Sequence, residues 1–236
     1  MIIDIGWCIT EELSSSIFFE PQSTQINNKK KSTNIKSEGV LRCPAVHNLT
    51  TNRIFTIRSP YTIKLRAIET SENKIDIRGV FPNTEVDSSI LPSIISVEPR
   101  EFWIDKNIPI LQIKMPYIFF SDIPVWINQL EAPSQKIIKS WSLIQGRFDI
   151  YSWQRSLNFA TQWFDIKKDF YIKRGEPIFQ ISFDTTEASN EFKLKKVTLD
   201  EKIKRRIASC EGVTKLIKNT GQLMSSNRDP NLKLLQ

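Results

Sequence analysis

The chain has 236 residues, 40% of them apolar and 25% charged, a globular composition that excludes a collagen-like, coiled-coil or wholly disordered protein. Its net charge of +7 sits mostly at one end: Glu191 to Gln236 carry 11 Lys or Arg against 5 Asp or Glu, whereas Met1 to Asn190 carry 22 against 21. A near-neutral body with a basic tail is not a domain built throughout to grip nucleic acid.

The rare residues narrow the chemistry. His47 is the sole histidine, so one chain cannot supply a two-histidine facial triad or an HExxH zinc site. Cys8, Cys43 and Cys210 are odd in number, far apart and without a CxxC, which fits a reducing compartment. Cys43 and His47 could form a thiol–imidazole pair, or join Cys8 and Cys210 around zinc. Zinc sites normally use two close pairs, so no metal is expected. No GxGxxG or GxxxxGK[ST] occurs, so no cofactor is expected either. The stretch from Met1 to Ile9 has no basic start and is broken by Asp4 and Gly6. No apolar run nears the ~18 residues of a membrane span. The expectation is a protein without a secretory signal or membrane anchor.

In chain order, alternation at Ile3, Ile5, Trp7 and Ile9 predicts a strand. Residues 22–39, with Asn27-Asn28-Lys29-Lys30-Lys31 at their centre, read as a long polar loop. Phe55 and Ile57, then Tyr61, Ile63, Leu65 and Ala67, then Ile75 and Ile77 predict strands with one solvated face. Polar residues 70–73 form the turn of a hairpin. Residues 82–133 hold 7 of the 12 prolines, which forbids long helices there. Strands are predicted at 102–105, 108–115, 117–120, 125–130, 143–150 and 170–183, with a tight turn at Arg174-Gly175-Glu176-Pro177. Trp153, Leu157, Ala160 and Phe164 fall at helical spacing, so 151–164 reads as a helix or helical crossover. In the tail, Thr198 and Glu201 form a capping box, and Leu199, Ile203, Ile207 and Cys210 an apolar stripe.

Short strands, frequent prolines and few glycines predict a mainly β protein. The expected body is an antiparallel β-sandwich, jelly-roll-like, over residues 1–190, with a basic α-helical arm over 191–236.

Three constellations could carry function. Five of six tryptophans fall between Trp103 and Trp163. A packed core accounts for most of these rings, and ligand stacking on Trp103, Trp126, Trp153 or Trp163, with Arg155, is the alternative. Carboxylates cluster at Glu98, Glu101 and Asp105 and at Asp165, Asp169 and Glu176, a pattern that surface acids share with glycosidase pairs. Lys202, Lys204, Arg205 and Arg206 crowd the tail helix, where a solvated face, a protein partner and nucleic acid are the competing readings.

Two sets of segments carry a resemblance. Arg42-Cys43-Pro44-Ala45 with Phe55-Thr56-Ile57-Arg58-Ser59-Pro60-Tyr61 is one. Phe148-Asp149-Ile150, Trp153 to Asn158 and Arg174 to Phe179 is the other. Together they resemble an uncharacterised protein family of tailed marine cyanophages. The resemblance spans about Val40 to Phe183, implies a phage source and supplies no catalytic residue. The 34 Ile against 6 Ala and 7 Gly also suit an AT-rich genome. Arg174 to Gln180 further resembles one hairpin of dUTPase-like folds, whose glycine-rich catalytic motif is missing here. The expected function is therefore non-enzymatic: a structural or assembly protein of a bacteriophage, in the host cytoplasm or virion. Its arm would dock on a neighbouring subunit or another virion protein. The alternatives are a carbohydrate- or nucleotide-binding or enzymatic jelly roll using the aromatic segment, and nucleic-acid binding through the arm.

Overall fold

Side chains that alternate in sequence also alternate in burial, and this builds the sheets. The computed structural model describes residues 1–10, 18–23, 53–70, 75–132, 139–187, 189–211 and 233–235. Cys43, His47 and residues 24–39 of the expected polar loop lie outside them. Among the described residues the elements are β1 (Ile2–Ile9), β2 (Gln22–Ser23), β3 (Ile54–Arg58), β4 (Ile63–Glu69), β5 (Ile75–Gly79), a single helical turn α1 (Leu91–Ile94), β6 (Ile95–Val97), β7 (Ile110–Phe120), β8 (Trp126–Glu131), β9 (Trp141–Leu143), β10 (Arg147–Asp149), β11 (Ser156–Trp163), β12 (Phe170–Ile172), β13 (Pro177–Asp184), β14 (Glu191–Lys196) and α2 (Glu201–Glu211).

The first sheet runs β14-β1-β7-β11-β9, with β6 also on β7. The second runs β10-β8-β13-β3-β2, and the third β12-β4-β5. The first two pack face to face as a β-sandwich. Phe159 of β11 stacks on Phe179 of β13 at 5.8 Å between ring centroids, and Phe119 of β7 meets Phe183 of β13 at 5.8 Å. The third sheet adds Ile63, Leu65, Phe170 and Ile172 to the same core. The mainly β sandwich with a C-terminal helix is thus the fold the chain adopts. Every strand pair but one is antiparallel among the described residues; β1 and β14 run parallel. No helix among these residues is long and apolar enough to cross a membrane.

Several local expectations change. Residues 156–163 are strand β11, not helix: Leu157, Phe159, Thr161 and Trp163 are buried in strict alternation. The helical spacing of Trp153, Leu157, Ala160 and Phe164 was coincidental, and β-branched and aromatic content on a pleated surface prevails. The two predicted strands around Pro116 are one strand, β7. Register slips there between Ser156↔Ile118 and Asn158↔Lys114, so the proline, which has no N–H, sits in a bulge rather than ending the strand. Residues 102–105 are not strand; a 3-10 turn occupies Arg100–Phe102. The turn at Gly175 forms as expected: Glu176 N–H donates to Lys173 O at 3.0 Å, and Gly175 takes the positive φ of 78° that its place in the turn requires.

The segment 191–196, assigned to the arm by its charge, is an edge strand. Phe192 and Leu194 pair opposite Ile3 and Ile5 and face the core, while Lys195 reaches Asp4 at 2.5 Å. Three lysines in six residues masked its alternation. The helix of the tail starts at Glu201, later than the capping box suggested. Asp200 is its N-cap, accepting the Ile203 N–H at 2.8 Å through Oδ1, since a carboxylate suits the positive end of a helix better than the Thr198 hydroxyl.

Candidate functional site

The five clustered tryptophans separate into two groups. Trp163 is 0% exposed against Phe170, Trp141 packs edge-on to Phe159, and buried Trp103 donates from Nε1 to Glu98 O at 2.7 Å. These are core rings. Trp126 and Trp153 are half-buried, and each lies under a guanidinium: Arg147 is 5.4 Å from the Trp126 ring and Arg155 is 4.8 Å from the Trp153 ring. Trp126 stands on the outer face of the second sheet, paired across strands with Asp149 and Asp184. Beside it Asn128, Leu130, Arg147, Asp184, Arg53 and Ile54 line an open depression of about 470 Å³. Asn128 Nδ2 donates there to Asp184 at 2.5 Å and to Ser182 Oγ at 3.2 Å.

Four of the six clustered carboxylates, Asp105, Asp165, Asp169 and Glu176, have structural work. Asp169 accepts from Arg66 at 2.8 Å and pairs with Lys64 at 3.2 Å; the Arg66 hydrogen bond holds its carboxyl below the usual range. Lys168 does the same for Asp165. Glu176 caps the Lys173 amide, and Asp105 the Asn107 amide. Among the described residues no group of three His, Cys, Asp or Glu side chains is arranged for a metal ion.

The tail builds a more specific arrangement. Strand parity places Cys8 of β1 and Ile118 and Phe120 of β7 on the outer face of the first sheet. Ile203 and Ile207 of α2 cover them and, with Leu234 near the chain's end, complete a second apolar cluster apart from the sandwich core. Gly6 makes this approach possible: a Cβ there would lie 2.3 Å from the Phe120 ring and 2.6 Å from Leu235. Asp122 then holds the end of the chain. Its Oδ1 accepts the Leu234 N–H at 2.7 Å and its Oδ2 the Leu235 N–H at 3.2 Å, while Lys202 Nζ donates to Lys233 O. Burial pushes the Cys8 thiol up to about 11, with the Asp200 charge adding to it.

The four predicted contact cations therefore have different places. Arg206 is buried, its Nε donating to Gln154 Oε1 at 2.7 Å and its Nη2 to Ser152 O at 2.9 Å. It fixes α2 to the body, so it is not a surface cation waiting for a partner. Lys202 holds the chain's end. Lys204 is exposed and paired with Glu201 at 2.7 Å, and it lowers that carboxyl. Arg205 is exposed beside Lys202, Glu201 and Ser209 around an open hollow of about 390 Å³.

Sequence reasoning missed Gly6 and Asp122, because nothing local distinguishes a glycine in a strand or an aspartate after one. It also missed a braced loop. Lys106 Nζ donates to the carbonyls of Glu101 at 2.8 Å and Arg100 at 3.3 Å, and Arg100 Nε returns a bond to Lys106 O at 2.8 Å. Between these ties Phe102 is 66% and Ile104 71% exposed. A scan of protein-family models finds no match to the chain, and a search of curated proteins finds no relative.

Proposed function

We propose that the chain is a non-enzymatic structural or assembly protein of a bacteriophage, working in the host cytoplasm or the virion, whose C-terminal arm docks on a neighbouring subunit. The observation that carries this reading is the separate cluster of Cys8, Ile118 and Phe120 with Ile203, Ile207 and Leu234. The stretch Lys233 to Leu235, held by this small cluster with Asp122 and Lys202, can lift away without opening the main core or the Arg206 bonds that keep α2 in place. The resemblance to a cyanophage family supports the phage setting, and the apolar loop at Phe102 and Ile104 supports protein contact.

Light scattering on the full chain and on one lacking 198–236 tests it. The full chain should have a mass that is a multiple of 27.4 kDa. The shortened chain should keep its β circular dichroism and lose the multiple. A monomeric full chain, or a shortened chain that does not fold, overturns the reading.

One observation favours a second reading, a ligand site on the outer face of the second sheet. Trp126 and Arg147 stand there next to the hydrogen-bonded Asn128 and Asp184. An aromatic ring beside convergent polar groups is how sugars and nucleotides are held. Titration with oligosaccharides and nucleotides should quench tryptophan fluorescence in the native chain and not in Trp126→Ala; a flat native response removes this reading.

A further inference from the structure

We propose that the seat of Leu234 between α2 and the outer face of the first sheet is a peptide-docking site whose ligand is the Lys233-Leu234-Leu235 segment of a second copy of this chain. The inference rests on the assembly reading and gives it a site and a ligand. Three kinds of recognition meet at this seat. Asp122 takes two successive backbone amides, one on each carboxylate oxygen, and Lys202 takes the preceding carbonyl. Donors on one side of the peptide and an acceptor on the other fix its direction. Leu234 is buried among Cys8, Ile118, Phe120, Ile203 and Ile207, and Leu235 lies against the space that Gly6 leaves. A Cβ at position 6 would strike the Phe120 ring at 2.3 Å and Leu235 at 2.6 Å, so the glycine makes room for both.

The same contacts can form within a chain or between chains. Residues 212–232, 21 in number, join α2 to Lys233. Such a length of chain reaches at most about 70 Å, against a diameter of roughly 45 Å for a body of this size. The same seat on a neighbour is therefore within reach. The contact involves three residues, so which copy supplies them is set by local concentration. Exchange of identical ends keeps every contact and adds a tether between subunits, the low-cost route by which chains of one kind assemble.

Isotopes decide the question with the intact protein. Unlabelled and ¹⁵N-labelled full-length chains are unfolded together, refolded, and treated with a short amine-reactive cross-linker. Lys202–Lys233 cross-linked peptides are then read by mass spectrometry, and light scattering is run on the same sample. Mixed light–heavy pairs about as abundant as unmixed ones are expected. Unmixed pairs alone, in a sample that is oligomeric, overturn this inference and leave the assembly reading standing. Unmixed pairs in a monomeric sample overturn both. Asp122→Ala should cut the Lys202–Lys233 yield several-fold; an unchanged yield removes Asp122 from the site and the proposal with it.

Discussion

Arg206 donates from Nε to the side-chain oxygen of Gln154 at 2.7 Å, and both side chains are buried. Gln154 is itself fixed, its Nε2 donating to Ile150 O at 2.9 Å and Tyr151 O at 2.7 Å. The pair therefore keys α2 to the turn that precedes β11. Removing the guanidinium leaves a buried amide oxygen and the Ser152 carbonyl short of a donor, which costs about 2 kcal/mol. Arg206→Ala should lower stability by that order in urea denaturation. Arg206→Lys should recover less than half, because one ammonium cannot serve both acceptors as a planar fork does. A lysine variant as stable as the native chain would contradict the forked geometry.

Gly6 and Phe120 set a second test. A methyl at position 6 would meet the Phe120 ring at 2.3 Å, well inside van der Waals contact. The ring cannot yield freely, since it is buried under Ile203 and Ile207. Gly6→Ala should cost about 1–3 kcal/mol by overpacking, and it should release the chain's end, seen as faster amide exchange at Leu234 and Leu235. Unchanged stability and exchange would mean the strand is not shaped for that end.

Much of the sandwich was legible in the sequence because burial on one face writes a period of two, as at Phe55 and Ile57 or Ile63 and Leu65. Legibility failed where that period was masked or imitated. In β14 the lysines outnumber the apolar residues, so Phe192 and Leu194 were read as part of a charged arm. In β11 the chance spacing of Trp153, Leu157, Ala160 and Phe164 imitated a helix. The second half of β7 is apolar on both faces, Met115 to Phe120, and this was the sequence's sign that something covers the sheet outside. The apolar stripe of α2 was equally readable, but pairing the two needed tertiary placement. Asp122 and Gly6 act through residues remote in sequence, which no local pattern encodes, whereas the braced loop is tied by side chains that reach backbone carbonyls five or six residues away, a spacing that writes no strand or helix period.

Cys8 makes the cover over the first sheet measurable. Its thiol is pushed up from an ordinary value near 9 to about 11 by burial. Below pH 9 the thiol is neutral in folded and unfolded chains alike, so the full stability is present. Between about pH 9 and 11 the unfolded chain loses the proton and the folded one keeps it, and stability falls by an amount on the order of 2 kcal/mol. Urea denaturation at mildly acidic and alkaline pH should show that loss in the native chain and a smaller one in Cys8→Ala. Equal losses would show that the thiol is not sheltered by α2.

The last prediction concerns Phe102 and Ile104. Both stand in solvent on a loop whose backbone is tied by Lys106 and Arg100 and whose intervening residue, Trp103, is anchored in the body. Exposed side chains make few contacts with their own chain, so Phe102→Ser with Ile104→Ser should change folding stability by no more than about 0.5 kcal/mol. Large apolar groups held rigidly in water gain most when another protein covers them, because little entropy remains to be lost on contact. Sedimentation over a range of concentrations should therefore show the double variant associating more weakly than the native chain. Trp103→Ala is the control: it removes a buried ring and its bond to Glu98, and it should lower stability by about 3 kcal/mol or more. If the serine variant sediments as the native chain does, the loop is not a contact between subunits, and its two apolar side chains serve something other than assembly.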